Sequence, residues 1–129
     1  MADPAMPILV VDDYQTMVRI ISNLLKQIGF TNVDEASNGA DAFEKIRTGS
    51  YGLIISDWNM QPVTGFELLQ KVKADPSLAE TPFIMVTAES KTDNVIAARK
   101  AGVSSYIVKP FNAQTLKAKI DAVFAARAA

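Results

Sequence analysis

The chain predicts an α/β protein built on a parallel sheet with helices on both faces. Short apolar runs of strand length alternate five times with longer amphipathic stretches, the pattern of successive βα units. The runs are continuously apolar, as in Ile8-Leu-Val-Val11, which suits strands covered on both sides. No Pro/Gly/Ser-rich linker or internal repeat divides them, and 129 residues suffice for a single core, so residues 1–129 are expected to form one domain.

Ile8 to Val11 is the first strand. From Tyr14 to Ile28 the apolar residues Met17, Ile21, Leu24 and Ile28 recur at helical spacing, and Gly29 stands where a left-handed C-cap belongs. A second strand, Val33 to Ala36, leads into Asn38-Gly39. That pair alone suggests a hairpin, but Ala42, Phe43 and Ile46 continue at helical spacing, so Asn38 reads as an N-cap. After Tyr51-Gly52 comes the strand Leu53 to Ser56, then a loop carrying Pro62. Thr64-Gly-Phe-Glu67 is a capping box, opening a helix whose expected buried stripe is Phe66, Leu69 and Val72. Asp75-Pro76 stops that helix. Phe83 to Val86 is the fourth strand, ending at Thr87; Ser90 with Asp93 is expected to cap the next helix, which Gly102 closes. Tyr106 to Val108 is the fifth. Beyond Lys109-Pro110-Phe111, Asn112 caps a last helix with the stripe Leu116, Ile120, Val123 and Phe124, and the Ala-rich end past Ala125 is expected to fray. Strictly alternating units joined by right-handed crossovers give a doubly wound sheet in the flavodoxin-like order 2-1-3-4-5.

Composition narrows the chemistry. Hydrophobic residues make up 49%, charged residues 21%, and the net charge is −1, without the basic excess of a nucleic-acid binder. There is no cysteine and no histidine, so disulfides, thiolate catalysis, zinc or copper sites and Ser-His-Asp catalysis are effectively excluded. Carboxylate and carbonyl oxygens remain, and these suit magnesium, calcium or manganese. The segment Met1 to Pro7 lacks the basic and apolar regions of a signal peptide, and no apolar run is long enough to cross a bilayer. A cytoplasmic protein without membrane or nucleic-acid partners is the expectation.

The ionisable residues fall where such a sheet binds ligands. Asp12 and Asp13 follow the first strand, Asp57 the third, Lys109 the fifth, and Thr87 ends the fourth. Strand C-termini of an open α/β sheet line one crevice, and strands one and three flank its topological switch point. Carboxylates gathered there repel one another, and a hard divalent cation would offset the repulsion. Magnesium is expected, with Asp13 and Asp57 as direct ligands and Asp12 acting through water. Asp57 can then serve as a nucleophile toward phosphorus, Lys109 as a charge on the phosphoryl oxygens, and Thr87 as a hydroxyl donor once that group arrives. Each residue alone has a plainer reading. An aspartate after a strand is often an N-cap, Asp57 a loop residue, Lys109 a solvated lysine, Thr87 a β-former and Tyr106 a half-buried strand aromatic. Their joint placement at four strand ends is what favours a site.

Val10-Val-Asp-Asp13, Asp57 followed by Met60 and Gly65, Thr87-Ala88 and Lys109-Pro110 together resemble the receiver domain of two-component response regulators, across essentially the whole chain. Longer stretches, such as Ile55-Ser-Asp-Trp-Asn-Met60 and Val108-Lys-Pro-Phe111, resemble the single-domain chemotaxis regulators within that family. The resemblance implies phosphorylation of Asp57 by a histidine kinase of the CheA type, with Mg²⁺ held by Asp13, Asp57 and the Asn59 backbone carbonyl. It implies that Thr87 and an inward-turning Tyr106 couple the phosphoryl group to a surface formed by the fourth helix, fifth strand and fifth helix. It also implies a cis Lys109-Pro110 bond. Val95, Tyr106, Val108, Phe111 and Lys119 are the positions expected to touch a flagellar motor switch protein. Asn59 and Glu89 flank the attack path of water in the family and are expected to tune phosphoryl lifetime; both also fit ordinary polar surface. A phosphatase is a further expected partner, and a monomer the expected state.

One departure stands out. The family usually places proline directly after the methionine of the phosphorylation loop, whereas Gln61 fills that place here and Pro62 follows, shifting the proline's restriction from Met60 to Gln61. Alternatives are a phosphate sink or phosphorelay receiver without a motor target, an aspartate-based phosphatase, and a flavin or nucleotide binder. The phosphatase would carry a second carboxylate where Asp57-Trp-Asn59 has an amide. The nucleotide binder would carry a glycine-rich loop where Asp12-Asp13 stands.

Overall fold

The computed structural model describes residues 3–60, 63–88, 92–109 and 111–128. In chain order the elements are β1 (Ile8–Val11), α1 (Gln15–Ile28), β2 (Val33–Ala36), α2 (Gly39–Thr48), β3 (Leu53–Asp57), α3 (Gly65–Ala74), β4 (Phe83–Thr87), α4 (Thr92–Lys100), β5 (Ser105–Val108) and α5 (Ala113–Ala128). All strand pairs are parallel and the sheet order is β2-β1-β3-β4-β5, as expected.

Alternate residues of each buried strand feed two separate cores. Ile8, Val10, Leu53, Ile55, Ile84 and Val86 meet Ile21, Leu25, Leu116 and Ile120 of α1 and α5. Leu9, Val11, Ile54, Phe83 and Met85 meet Ala42, Ile46, Leu68, Leu69 and Val72 of α2 and α3, with Ala101 and Val103 packed at the margin. β1, β3 and β4 are buried along their whole length, which explains their continuous apolar sequences.

Local signals fix the element ends. Gly29 has φ 117° and Gly102 φ 96°, the left-handed conformation that closes a helix most readily with glycine. Asn38 Oδ1 accepts from the Asp41 N–H at 2.7 Å and Asn112 Oδ1 from the Thr115 N–H at 2.9 Å. The Thr64–Glu67 capping box is reciprocal, at 3.1 and 3.2 Å. The Ser90 cap, the Gln61-Pro62 shift, Glu89 and the Lys109-Pro110 bond lie outside the described residues.

Three expectations need correction. The buried stripe of α1 is Val18, Ile21, Ser22 and Leu25, with Met17, Leu24 and Ile28 half-buried beside it. In α3, Leu68 joins Leu69 and Val72 inside, whereas Phe66 is only half-buried. The Ala-rich end does not fray at Ala125; α5 continues to Ala128, consistent with the high helix propensity of alanine.

Candidate functional site

β1 and β3 are adjacent, with Val11 opposite Ser56, so the chain leaves the sheet at Asp12 beside Asp57. From β1 the chain crosses to β2 on one side, and from β3 to β4 on the other, which opens the crevice between them. Asp12 is 1% exposed and Asp57 4%, whereas Asp13 is exposed at the rim. Carboxylate oxygens of Asp12, Asp13 and Asp57 all lie within 4.8 Å of one another.

Lys109 enters from β5. Its N–H donates to the Thr87 carbonyl at 2.7 Å, which carries the β4–β5 pairing one residue past Val108. Its Nζ lies 2.8 Å from Asp57 Oδ1 and 3.5 Å from Asp12 Oδ2, with the side chain 19% exposed. Desolvation lowers the Lys109 pKa, but the hydrogen bond to Asp57 and the fields of both aspartates outweigh it, and the net direction is up. Desolvation raises the Asp12 pKa, opposed by the Tyr14 N–H that donates to Asp12 Oδ1 at 2.9 Å; the neighbouring Asp57 charge adds to the rise and Lys109 opposes it. Among the described residues no buried side-chain nitrogen or oxygen lacks a hydrogen-bond partner.

The loop after Asp57 is held at its base. The Trp58 N–H donates to the Val86 carbonyl at 2.9 Å, and the Trp58 carbonyl accepts from the Met60 and Gly65 N–H groups at 3.2 and 2.9 Å. Gly65 packs so tightly that a Cβ there would collide with the Asp57 carbonyl oxygen. A cavity of about 340 Å³ lined by Asp13, Asn59, Met60 and Thr64 adjoins the acidic cluster.

Thr87 is buried at the end of β4. Tyr106 is half-buried on β5, opposite Met85, and its ring meets Trp58 edge-on at 6.4 Å between centroids. Trp58 in turn stacks on Phe66 at 5.2 Å, so an aromatic row runs beside the site. Nothing in the one-dimensional pattern marks that row, because its members come from a loop, a helix and an edge strand. Of the expected partner positions, Val108 is exposed, Val95, Tyr106 and Lys119 are half-buried, and Phe111 packs partly against the first core. Ile96, not singled out from sequence, is exposed on α4 next to Val95. Its position opposite the buried Ala98 face was the available signal.

Residues 8–121 match the response regulator receiver domain. The chain belongs to the response regulator receiver family. This receiver is 50% identical over 119 residues to the chemotaxis protein CheY of Pseudomonas aeruginosa, covering 92% of this chain and 96% of that one. It is 46% identical over 119 residues to the chemotaxis protein CheY-3 of Vibrio cholerae, covering 92% of each. Among solved structures, Vibrio cholerae CheY4 superposes with a TM-score of 0.86 at 31% identity, covering 92% of this receiver and 98% of CheY4. Among the described residues, no helix is long and apolar enough to cross a membrane.

Proposed function

We propose that this receiver is a phosphorylation-activated switch of chemotaxis, accepting a phosphoryl group on Asp57 from a histidine kinase and signalling in the cytoplasm to the flagellar motor switch. The reading rests on one arrangement: a buried carboxylate at the end of β3 with a lysine ammonium 2.8 Å away and two further aspartates beside it. The CheY relatives supply the chemotactic context.

The reaction moves one bond. An Asp57 oxygen attacks phosphorus, the P–N bond of a phosphohistidine breaks, and the imidazole leaves, giving an aspartyl phosphate. The donor set is all hard oxygen, which fits magnesium; held by Asp13, Asp57 and the Asn59 carbonyl, with Asp12 through water, Mg²⁺ would neutralise carboxylate and phosphoryl charge. Lys109 transfers its ammonium hydrogen bonds from Asp57 toward the phosphoryl oxygens, and the Thr87 hydroxyl donates to one of them. Tyr106, already against Trp58, carries the change to the surface of α4, β5 and α5, where Val95, Val108, Phe111 and Lys119 meet the target. Asn59 and Glu89 tune hydrolysis, which returns the switch to rest. The chain thereby catalyses its own phosphorylation and dephosphorylation.

Trp58 is the only tryptophan and directly follows Asp57. Acetyl phosphate with Mg²⁺ is expected to add one phosphoryl group by intact mass and to change Trp58 fluorescence. The treated protein is expected to bind a flagellar switch peptide more tightly than the untreated one. No mass adduct with donor and Mg²⁺ in excess overturns the acceptor role; an adduct without tighter peptide binding overturns the motor target and leaves a phosphate sink.

A further inference from the structure

β2 forms one edge of the sheet, pairing with β1 alone among the described strands. The Ile8 N–H bonds the Asn32 carbonyl and the Asp12 N–H the Ala36 carbonyl. Since successive residues of a strand turn their backbone groups to opposite sides, Glu35 turns its N–H and C=O outward. Such unpaired edge groups are a template for another strand.

Here both groups are taken by side chains of the same chain. The Glu35 N–H donates to Asp34 Oδ1 at 2.9 Å, and Lys45 Nζ, from α2, donates to the Glu35 carbonyl at 2.5 Å. The two capping groups hold each other, with Lys45 Nζ 3.8 Å from Asp34 Oδ1. The Tyr51 hydroxyl, from the turn before β3, donates to Asp34 Oδ2 at 2.6 Å. As an ion pair this contact contributes little, because its side chains are 53% and 37% exposed. Its distinguishing property is that each charged group also occupies one outward backbone group of a single residue.

We propose that Asp34, Lys45 and Tyr51 form an edge clamp that denies β2 to the same strand of a second copy of this chain. A second copy is the occupant favoured by geometry. In an antiparallel, two-fold contact centred on Glu35, the two copies of that residue would exchange N–H···O=C bonds in both directions, using the groups now capped. Nothing in this inference depends on Asp57 chemistry.

The test is the double variant Asp34→Ala/Lys45→Met, which removes both caps and keeps most of the lysine stem. Its amide at Glu35 is expected to exchange about tenfold faster than wild type in dilute solution, the loss of one charge-assisted hydrogen bond. On concentration toward about 1 mM the variant, unlike wild type, is expected to form a dimer by sedimentation, with the Glu35 amide protected again. Lys45→Met alone, at a half-buried position where methionine keeps most of the stem, serves if the double variant does not fold, and is expected to dimerise more weakly. A folded variant that stays monomeric overturns the proposal, whatever its exchange rate. So does a dimer in which Glu35 stays unprotected, since it uses another surface. Phosphoryl acceptance, measured on the same samples, is expected to be unchanged, so a failure here is separable from a failure of Asp57 as acceptor.

Discussion

Two clusters in this receiver use nearly the same ingredients, aspartate and lysine, and do opposite things. At the strand ends, Asp12 and Asp57 are almost fully covered and share one ammonium at 3.5 and 2.8 Å. At the β2 edge, Asp34 is exposed and Lys45 half-buried, 3.8 Å apart, and Asp34 also accepts from a tyrosine hydroxyl. Desolvation is the leading influence on Asp12 and drives its pKa up; the hydrogen bond from Tyr51 leads for Asp34 and drives its pKa down. Burial therefore stores unfavourable electrostatics in the first cluster, available to a cation or phosphoryl group. Exposure lets the second one only hold backbone in place.

The largest contrast is expected between Asp57→Asn, which abolishes phosphoryl acceptance by intact mass, and Asp34→Asn, which leaves it intact. Next, Lys109→Ala in EDTA leaves two buried carboxylates without a counter-charge and is expected to cost about 3 kcal/mol in urea unfolding, much of it recovered with Mg²⁺. Lys45→Ala is expected to cost less than about 1 kcal/mol. Equal losses would erase the distinction.

Neutralising one aspartate in each cluster gives opposite signs. Asp12→Asn keeps an acceptor for the Tyr14 N–H while removing a charge that burial disfavours, and is expected to stabilise by about 1 kcal/mol. Asp34→Asn is expected to destabilise slightly, by less than about 0.5 kcal/mol.

The smallest effect is in pH. Burial, then the bond to Asp34, pushes the Tyr51 pKa from 10.0 up to about 12. The folded state thus holds the phenol proton more tightly than the unfolded state. Its contribution is complete below pH 10 and is lost as pH rises from 10 toward about 12. Tyr51→Phe is expected to cost about 0.5 kcal/mol at neutral pH and to remove this component of the alkaline loss, read as the difference between paired unfolding curves.

The strand-end cluster was legible in sequence because its charged members stand at the C-terminal ends of strand-length apolar runs, and topology alone then brings the ends of adjacent strands together. The edge cluster was not. It needs the side-chain reach from α2 and from the turn at Tyr51 to one outward residue of β2, which no periodicity encodes. Helix phase was readable only to within a residue for a similar reason. Met17-Val18, Ile20-Ile21 and Leu24-Leu25 are apolar pairs, and packing against the sheet, not spacing, decides that Val18, Ile21 and Leu25 go inside. Likewise Phe66 is drawn from the expected stripe to the stack on Trp58, and Leu68 takes the interior.

The Trp58 carbonyl accepts from both the Met60 and Gly65 N–H groups, so a single oxygen next to Asp57 ties the end of β3 to the start of α3. A substitution at Asn59 therefore alters the wall of the adjoining cavity, while the backbone that presents Asp57 keeps anchors that do not involve the Asn59 side chain.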